Sequence, residues 1–151
     1  MGRTSELKTV TSFRAPPENA VARAIVAVPV AALGTAEGLT REDKLRIARL
    51  CGLSPVFHAL GPARTHEIID DCERDICRRG ALAVLAEARA DLTPGLSETA
   101  IFFAIRAAFA GNGARGDASE RLALTAARLN LPEPVFRALY EITRTLQPPF
   151  A

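Results

Sequence analysis

The chain reads as an all-α protein, a bundle of about seven helices built around an internal duplication. Composition gives the first reason. Of its 151 residues, 48% are hydrophobic but only 5% aromatic, with no Trp. Abundant Ala and Leu favour helices packed closely on small residues over a β-sandwich, which would want Val, Ile, Thr and Tyr. The second reason is the lack of any alternating strand pattern along the chain. The third is a recurrence: PVFHAL at residues 55–60 returns as PVFRAL at residues 134–139.

Laid over residues 119–139 without a gap, residues 40–60 match at nine positions. Leu45, Ala48, Arg49 and Leu50 pair with Leu124, Ala127, Arg128 and Leu129, and then Pro55, Val56, Phe57, Ala59 and Leu60 with their partners. Between the two clusters lies a corner, Cys51-Gly52-Leu53-Ser54 in one copy and Asn130-Leu131-Pro132-Glu133 in the other. Gly or Asn closing one helix, with Ser or Pro opening the next, is stop-and-restart chemistry. Each copy is thus expected to be a helix, a tight corner and a short helix whose Phe points inward.

Residues 1–17, rich in Ser, Thr and Pro, are expected to form a flexible N-terminal tail. The domain proper is expected over 18–147, with repeat halves at about 20–60 and 97–142 joined by helices within 62–92. Ala20 to Leu33 is the first long helix, and its internal Pro29 predicts a kink. Thr40, with Asp43 three residues on, marks a capped helix start, and Asp117 with Glu120 repeats the signal. In the link, Ile68, Ile69, Cys72, Ile76 and Cys77 form an apolar helical stripe. Gly80 interrupts it, Ala81 to Ala90 resumes as a second helix, and Leu92-Thr93-Pro94-Gly95 turns into the second long helix, through Ala100 to Phe109. Gln147 to Ala151 reads as a C-terminal tail.

Several function classes are set aside. A formal charge of +2, evenly scattered, argues against nucleic acid. The helix–Gly–helix of LRIARLCGLSPVFHAL suggests a helix-turn-helix, yet its second helix offers core-packing residues rather than base-reading ones. The apolar run 20–33 is shorter than the ~20 residues of a membrane span and carries Arg23 and Pro29. It also matches residues 97–109 of the second half, so it reads as a core helix rather than a leader, in a cytoplasmic protein. Cys51, Cys72 and Cys77 make no C-x-x-C; they read as small, buried, reduced core residues, the alternative being a thiol site.

A helix ending in an acidic-glycine loop, a capped helix, a G-L-S corner and a Phe-bearing segment, all used twice, resembles the TerB-like tellurite-resistance family. The stretch LTPGLSETAIFFAIRAAFAGNG is similar to that family's passage into its second long helix. The resemblance spans roughly residues 18–146. It implies a seven-helix bundle of pseudo-twofold symmetry with no enzymatic activity, associated with tellurite and metal stress. It further implies a divalent cation such as calcium at the acidic loops, and protein partners at the inner membrane face. The chain departs from the family where Glu37 takes the place of an Asp and Asn112-Gly113 that of Asp-Gly. On this resemblance the candidate metal residues are Glu37, Asp43, Asn112, Asp117 and Glu120. A hard cation wants six or more oxygens, and Arg41 and Arg115 lie near enough in sequence to repel one, so a degenerate site is expected. The bland account of the same residues is helix capping and turn formation.

Elsewhere, Glu67, Asp71 and Asp75 share one helical face, with Asp70 and Glu73 beside it. They suit a cation or basic partner, or an acid–base pair, but also a solvated face of i,i+4 pairs, Asp70 with Arg74 and Asp75 with Arg79. His58 is expected to be exposed, and His66 to sit near a helix start. GNGARG at 111–116 lacks the Gly-Lys-Ser/Thr ending of a phosphate loop and reads as a corner. No catalytic constellation emerges, so the chain is expected to be non-enzymatic. The alternative to a cation module is a protein–protein adaptor with a self- or partner-interface, a homodimer included.

Overall fold

A computed structural model describes residues 17–35, 37–110 and 117–146. Among these residues there are seven α-helices, α1 (Pro17–Leu33), α2 (Arg41–Cys51), α3 (Gly61–Arg79), α4 (Ala81–Ala90), α5 (Pro94–Ala110), α6 (Asp117–Arg128) and α7 (Glu133–Leu146), with a 3₁₀ turn at Pro55–Phe57. No strand occurs among the described residues, only an isolated bridge between Thr35 and Gly38. The expected tails fall outside the described residues, except that Pro17 opens α1 instead of ending a tail.

α1 and α5 form the centre. Both are apolar almost all round, and a helix of that kind must be enclosed by others. In α1, Ala22, Ile25, Val26, Val28 and Ala32 are wholly buried, and in α5 so are Ala100, Ile101, Ala104 and Ile105. The two helices pack most extensively on each other. α3, α4 and α6 close around α1, while α2 and α7 lie against α5. Alanines at 22, 24, 27, 100, 104 and 107 let these backbones approach closely. Truncating Ile25 or Ile101 to Ala in this core would cost about 2–5 kcal/mol.

Pro29 does not end α1. The helix runs through it, and its ring is fully buried. The helix instead stops after Leu33 at Gly34, whose amide still reaches Val30 O at 3.0 Å. A Cβ at Gly34 would stand 2.9 Å from that carbonyl. At the other long helix the expected turn is shorter than read: Pro94 and Gly95 already belong to α5. Thr93 Oγ1 accepts the Leu96 N–H at 3.2 Å, so Thr93 caps and Pro94 takes the first helical position, where its missing N–H costs nothing.

The two corners diverge despite their similar sequences. α6 ends with Asn130 in the left-handed region (φ 60°), and the amides of Asn130 and Leu131 return to Ala127 O and Ala126 O. That is a Schellman closure. Gly52, in contrast, stays right-handed at φ −62°, and Leu53 and Ser54 continue as tight turns. Ser54 Oγ then caps the 3₁₀ turn by accepting the Val56 N–H. The hexapeptides diverge too. PVFHAL ends at Gly61, whose φ of +79° breaks the chain direction before α3. PVFRAL meets Tyr140-Glu141 with no such break and becomes the first half of α7, not a separate short helix. Phe57 is buried as expected, but Phe136 is only half-buried.

Candidate functional site

The acids that the sequence singles out on α3, Glu67, Asp70, Asp71, Glu73 and Asp75, are each answered by a cation. Gly38 has φ +93°, and Thr35 and Gly38 exchange two backbone hydrogen bonds (3.3 and 2.9 Å) to close the loop before α2. The loop is pinned from outside. Glu73 of α3 accepts the Leu39 N–H at 2.6 Å through Oε2 and pairs with Lys44 Nζ at 2.8 Å through Oε1. Lys44 also reaches Asp70 Oδ1 at 3.0 Å. Partial burial pushes the Glu73 carboxyl up, but the Leu39 amide and the Lys44 ammonium outweigh it and hold it below its ordinary value. Lys44 is raised in turn, by Glu73 first and Asp70 second.

Two residues further along α3, Asp75 is buried at 6% exposure, so the face it shares with Glu67 and Asp71 is not simply solvated. Its carboxylate receives Arg79 (2.8 and 2.9 Å), Arg78 (3.1 Å) and Arg23 of α1 (3.2 Å). These guanidinium groups, Arg79 foremost, hold Asp75 well below the usual carboxylate range. Arg79 also bonds Glu87 of α4 at 2.9 Å, so two carboxylates link three helices. The group lies in a cleft of about 440 Å³ between α1, α3 and α4. Asp75 pairs with Arg79 as the spacing implies, but Asp70 turns to Lys44, and Arg74 pairs with Asp71 instead. The reason is tertiary: α2 brings an ammonium within reach of Asp70. Arg23 was the residue that sequence reasoning missed. An arginine inside an otherwise apolar, buried run was the available signal, since such a charge needs a partner.

The candidate metal residues whose side chains are described, Glu37, Asp43 and Glu120, form no cluster. Glu37 is exposed in the loop, its own N–H donating to Thr35 Oγ1. Asp43 gives its N–H to the capping Thr40 Oγ1 at 3.0 Å, and its carboxylate pairs with Arg46 at 3.0 Å. Glu120 is exposed on α6. Asn112 lies outside the described residues, as does the GNGARG corner, and of Asp117 only its place at the start of α6 is described. Among the described residues no three His, Cys, Asp or Glu are grouped to hold a metal ion. His58 is exposed, with Nε2 at 3.2 Å from Gly52 O, and His66 is half-buried in the second turn of α3.

The cysteines divide. Cys51 and Cys72 are buried, and burial pushes both thiols up to about 12. Cys77 is exposed, which corrects the reading of all three as core residues and removes Cys77 from the stripe of α3. Five residues after Cys72, it is rotated about 140° around the helix.

Between α6 and α7 lies a groove of about 550 Å³ lined by Ala123, Ala126, Ala127, Phe136 and Tyr140 among others. Tyr140 stacks at tilted angles against Phe109 and Phe136, with centroids 5.3 and 5.8 Å apart, and its hydroxyl lies 2.6 Å from Ser119 Oγ. α7 is strongly amphipathic, but its apolar arc is wider than the surface it covers. Ile142 remains 53% exposed and Leu146 68%. No helix among the described residues is long and apolar enough to cross a membrane. Compared with family models, curated proteins and solved structures, the chain matches none of them, so its reading rests on its own residues.

Proposed function

We propose that this chain is a non-enzymatic helical interaction module of TerB-like, duplicated build, acting as a protein–protein adaptor that needs no metal. The observation that carries the reading is the open apolar edge of α7 beside the α6–α7 groove. Exposed Ile and Leu on the same helix edge are what an interaction surface requires, whereas isolated exposed apolar residues are ordinary. The chemistry of the acidic loop favours the same reading over the cation site that the resemblance implies. Of the residues that the resemblance names, Asp43 already pairs with Arg46, and a divalent ion would have to displace that guanidinium.

Reciprocal packing supports the duplication. α2 of the first half lies on α5 of the second, and α6 of the second half lies on α1 of the first. Leu45 and Leu124, matched in the two halves, are both exposed. In a tellurite or metal-stress response, a module of this kind would work through the partners it holds.

Two measurements test the proposal. Thermal unfolding by far-UV circular dichroism should give the same midpoint in chelator and in excess Ca²⁺. A Ca²⁺-specific rise that vanishes in Glu37→Gln plus Asp117→Asn would restore the cation reading. A photoreactive side chain at Ala138 should give discrete protein adducts in cells, while one at Glu67 on α3 gives none. Equal labelling from both positions, or none from Ala138, would remove the adaptor assignment.

A further inference from the structure

Among the described residues six polar side chains are buried, and five of them are answered from within the chain. Thr65, Thr125 and Thr143 each give their hydroxyl to the carbonyl four residues back. Ser54 caps the 3₁₀ turn, and Asp75 receives its arginines. Ser97, in the first turn of α5, is the sixth. It is only 5% exposed, and its hydroxyl is bonded to no described residue. Such a group costs free energy unless something outside the chain answers it. The one side-chain atom among the described residues that is both enclosed and unpartnered is Arg121 Nε, so the Ser97 hydroxyl reaches open space. That space is a cavity of about 370 Å³ between the end of α4, the start of α5 and the α6–α7 corner.

Three more polar side chains line this cavity: Arg89 of α4, Glu98 of α5, and Asn130, whose φ of 60° forms the corner. None of the three is in a side-chain hydrogen bond or ion pair with a described residue. Leu92, Leu131 and Val135 supply apolar wall. A lone anion here would meet Glu98, and a lone cation would meet Arg89. Only a ligand carrying both charges answers both walls.

We propose that this cavity binds a small zwitterion with an apolar side chain, of the free α-amino-acid class. Arg89 takes the carboxylate, helped by the positive end of the α5 dipole, which opens at the cavity. Glu98 takes the ammonium, and the Ser97 hydroxyl donates to the carboxylate. The ligand's side chain lies against Leu92, Leu131 and Val135. A volume of about 370 Å³ stands at the small end of ligand pockets and suits one amino acid. The inference goes beyond the adaptor reading and does not depend on it.

L-Leucine is the probe that tests it. In ¹H–¹⁵N spectra of the full chain it should shift the Ser97 and Asn130 amides saturably, with a dissociation constant on the order of 1 mM. Glycine, which buries no apolar side chain, should show no saturation up to about 20 mM. Leucinamide lacks the carboxylate and N-acetyl-leucine the ammonium, so each should bind about 5-fold more weakly or worse. Arg89→Gln should erase the preference for leucine over leucinamide, and Glu98→Gln the preference over N-acetyl-leucine. Ser97→Ala should weaken leucine about 5-fold with the melting temperature unchanged or raised, whereas a purely structural serine would lower it. No saturable shift up to about 20 mM leucine overturns the proposal. So does binding that ignores Arg89→Gln and Glu98→Gln, or that treats leucine and its two capped forms alike.

Discussion

Lys44 Nζ lies 2.8 Å from Glu73 Oε1, so the helix after the acidic loop supplies the cation for that loop's own anchor. The other oxygen of Glu73 takes the Leu39 N–H at 2.6 Å. One carboxylate thus joins the loop, α2 and α3. Glu73→Ala should leave the Leu39 amide without its acceptor, costing about 1–2 kcal/mol. In hydrogen exchange the Leu39 amide should speed up by roughly tenfold, with core amides of α5 following only the change in global stability. Unchanged protection at Leu39 would mean that the loop is held by other contacts.

Gly38 tests the same anchor sterically. At φ +93° a side chain is strained, and a Cβ there would meet Glu73 Oε2 at 2.5 Å. Gly38→Ala should therefore destabilise by about 1–3 kcal/mol and release Leu39 as Glu73→Ala does. Gly80, also at positive φ but with nothing within 4 Å, should show only the backbone part of that cost when changed to Ala. Comparing midpoints in chemical denaturation separates strain from clash.

Asp75 makes stability depend on acid. Its carboxyl is held below the ordinary value in the folded state, so the stabilisation is complete above the unfolded pKa of about 3.9 and lost as pH falls through the folded value. Lys44 is shifted the opposite way, upward, so its contribution is lost only in strong alkali. The melting temperature should be level from about pH 6 to 9 and fall below about pH 4. Asp75→Asn should lower it by roughly 4–10 °C at neutral pH. The gap to the parent should then narrow in acid, because the parent loses there what the variant already lacks.

The thiols should react unequally. Cys77 is exposed, while Cys51 and Cys72 are buried with thiols pushed up to about 12. A disulfide reagent at neutral pH should modify one thiol quickly and the other two only at the rate of unfolding. Cys77→Ser should abolish the fast phase. Rapid modification of three thiols would contradict the burial of Cys51 and Cys72.

Much of the fold was legible because helical signals are local. The apolar runs of α1 and α5, the Thr40 cap, the Gly80 break and the Asn130 corner each depend on residues within one or two turns. Where the sequence misled, a local signal met a distant one. Pro94 and Gly95 read as a turn, yet they open α5 behind the Thr93 cap. Two nearly identical hexapeptides took different forms because Gly61 follows one and Tyr140 the other.

The acids show the division most clearly. Spacing along α3 already contained Asp75 with Arg79, since four residues bring one turn over the next. It could not contain Asp70 with Lys44 or Asp75 with Arg23, which join residues 26 and 52 positions apart. Sequence by itself determined the helical class, several helix ends and the apolar faces that require a partner, because these follow from hydrogen bonding and periodicity within a turn. Only the tertiary structure decided which charges neutralise which, and which apolar edge stays uncovered. Those depend on helix packing, where the Arg23 guanidinium or the Lys44 ammonium from a distant helix comes within 3.2 Å of a carboxylate and settles what that carboxylate can bind.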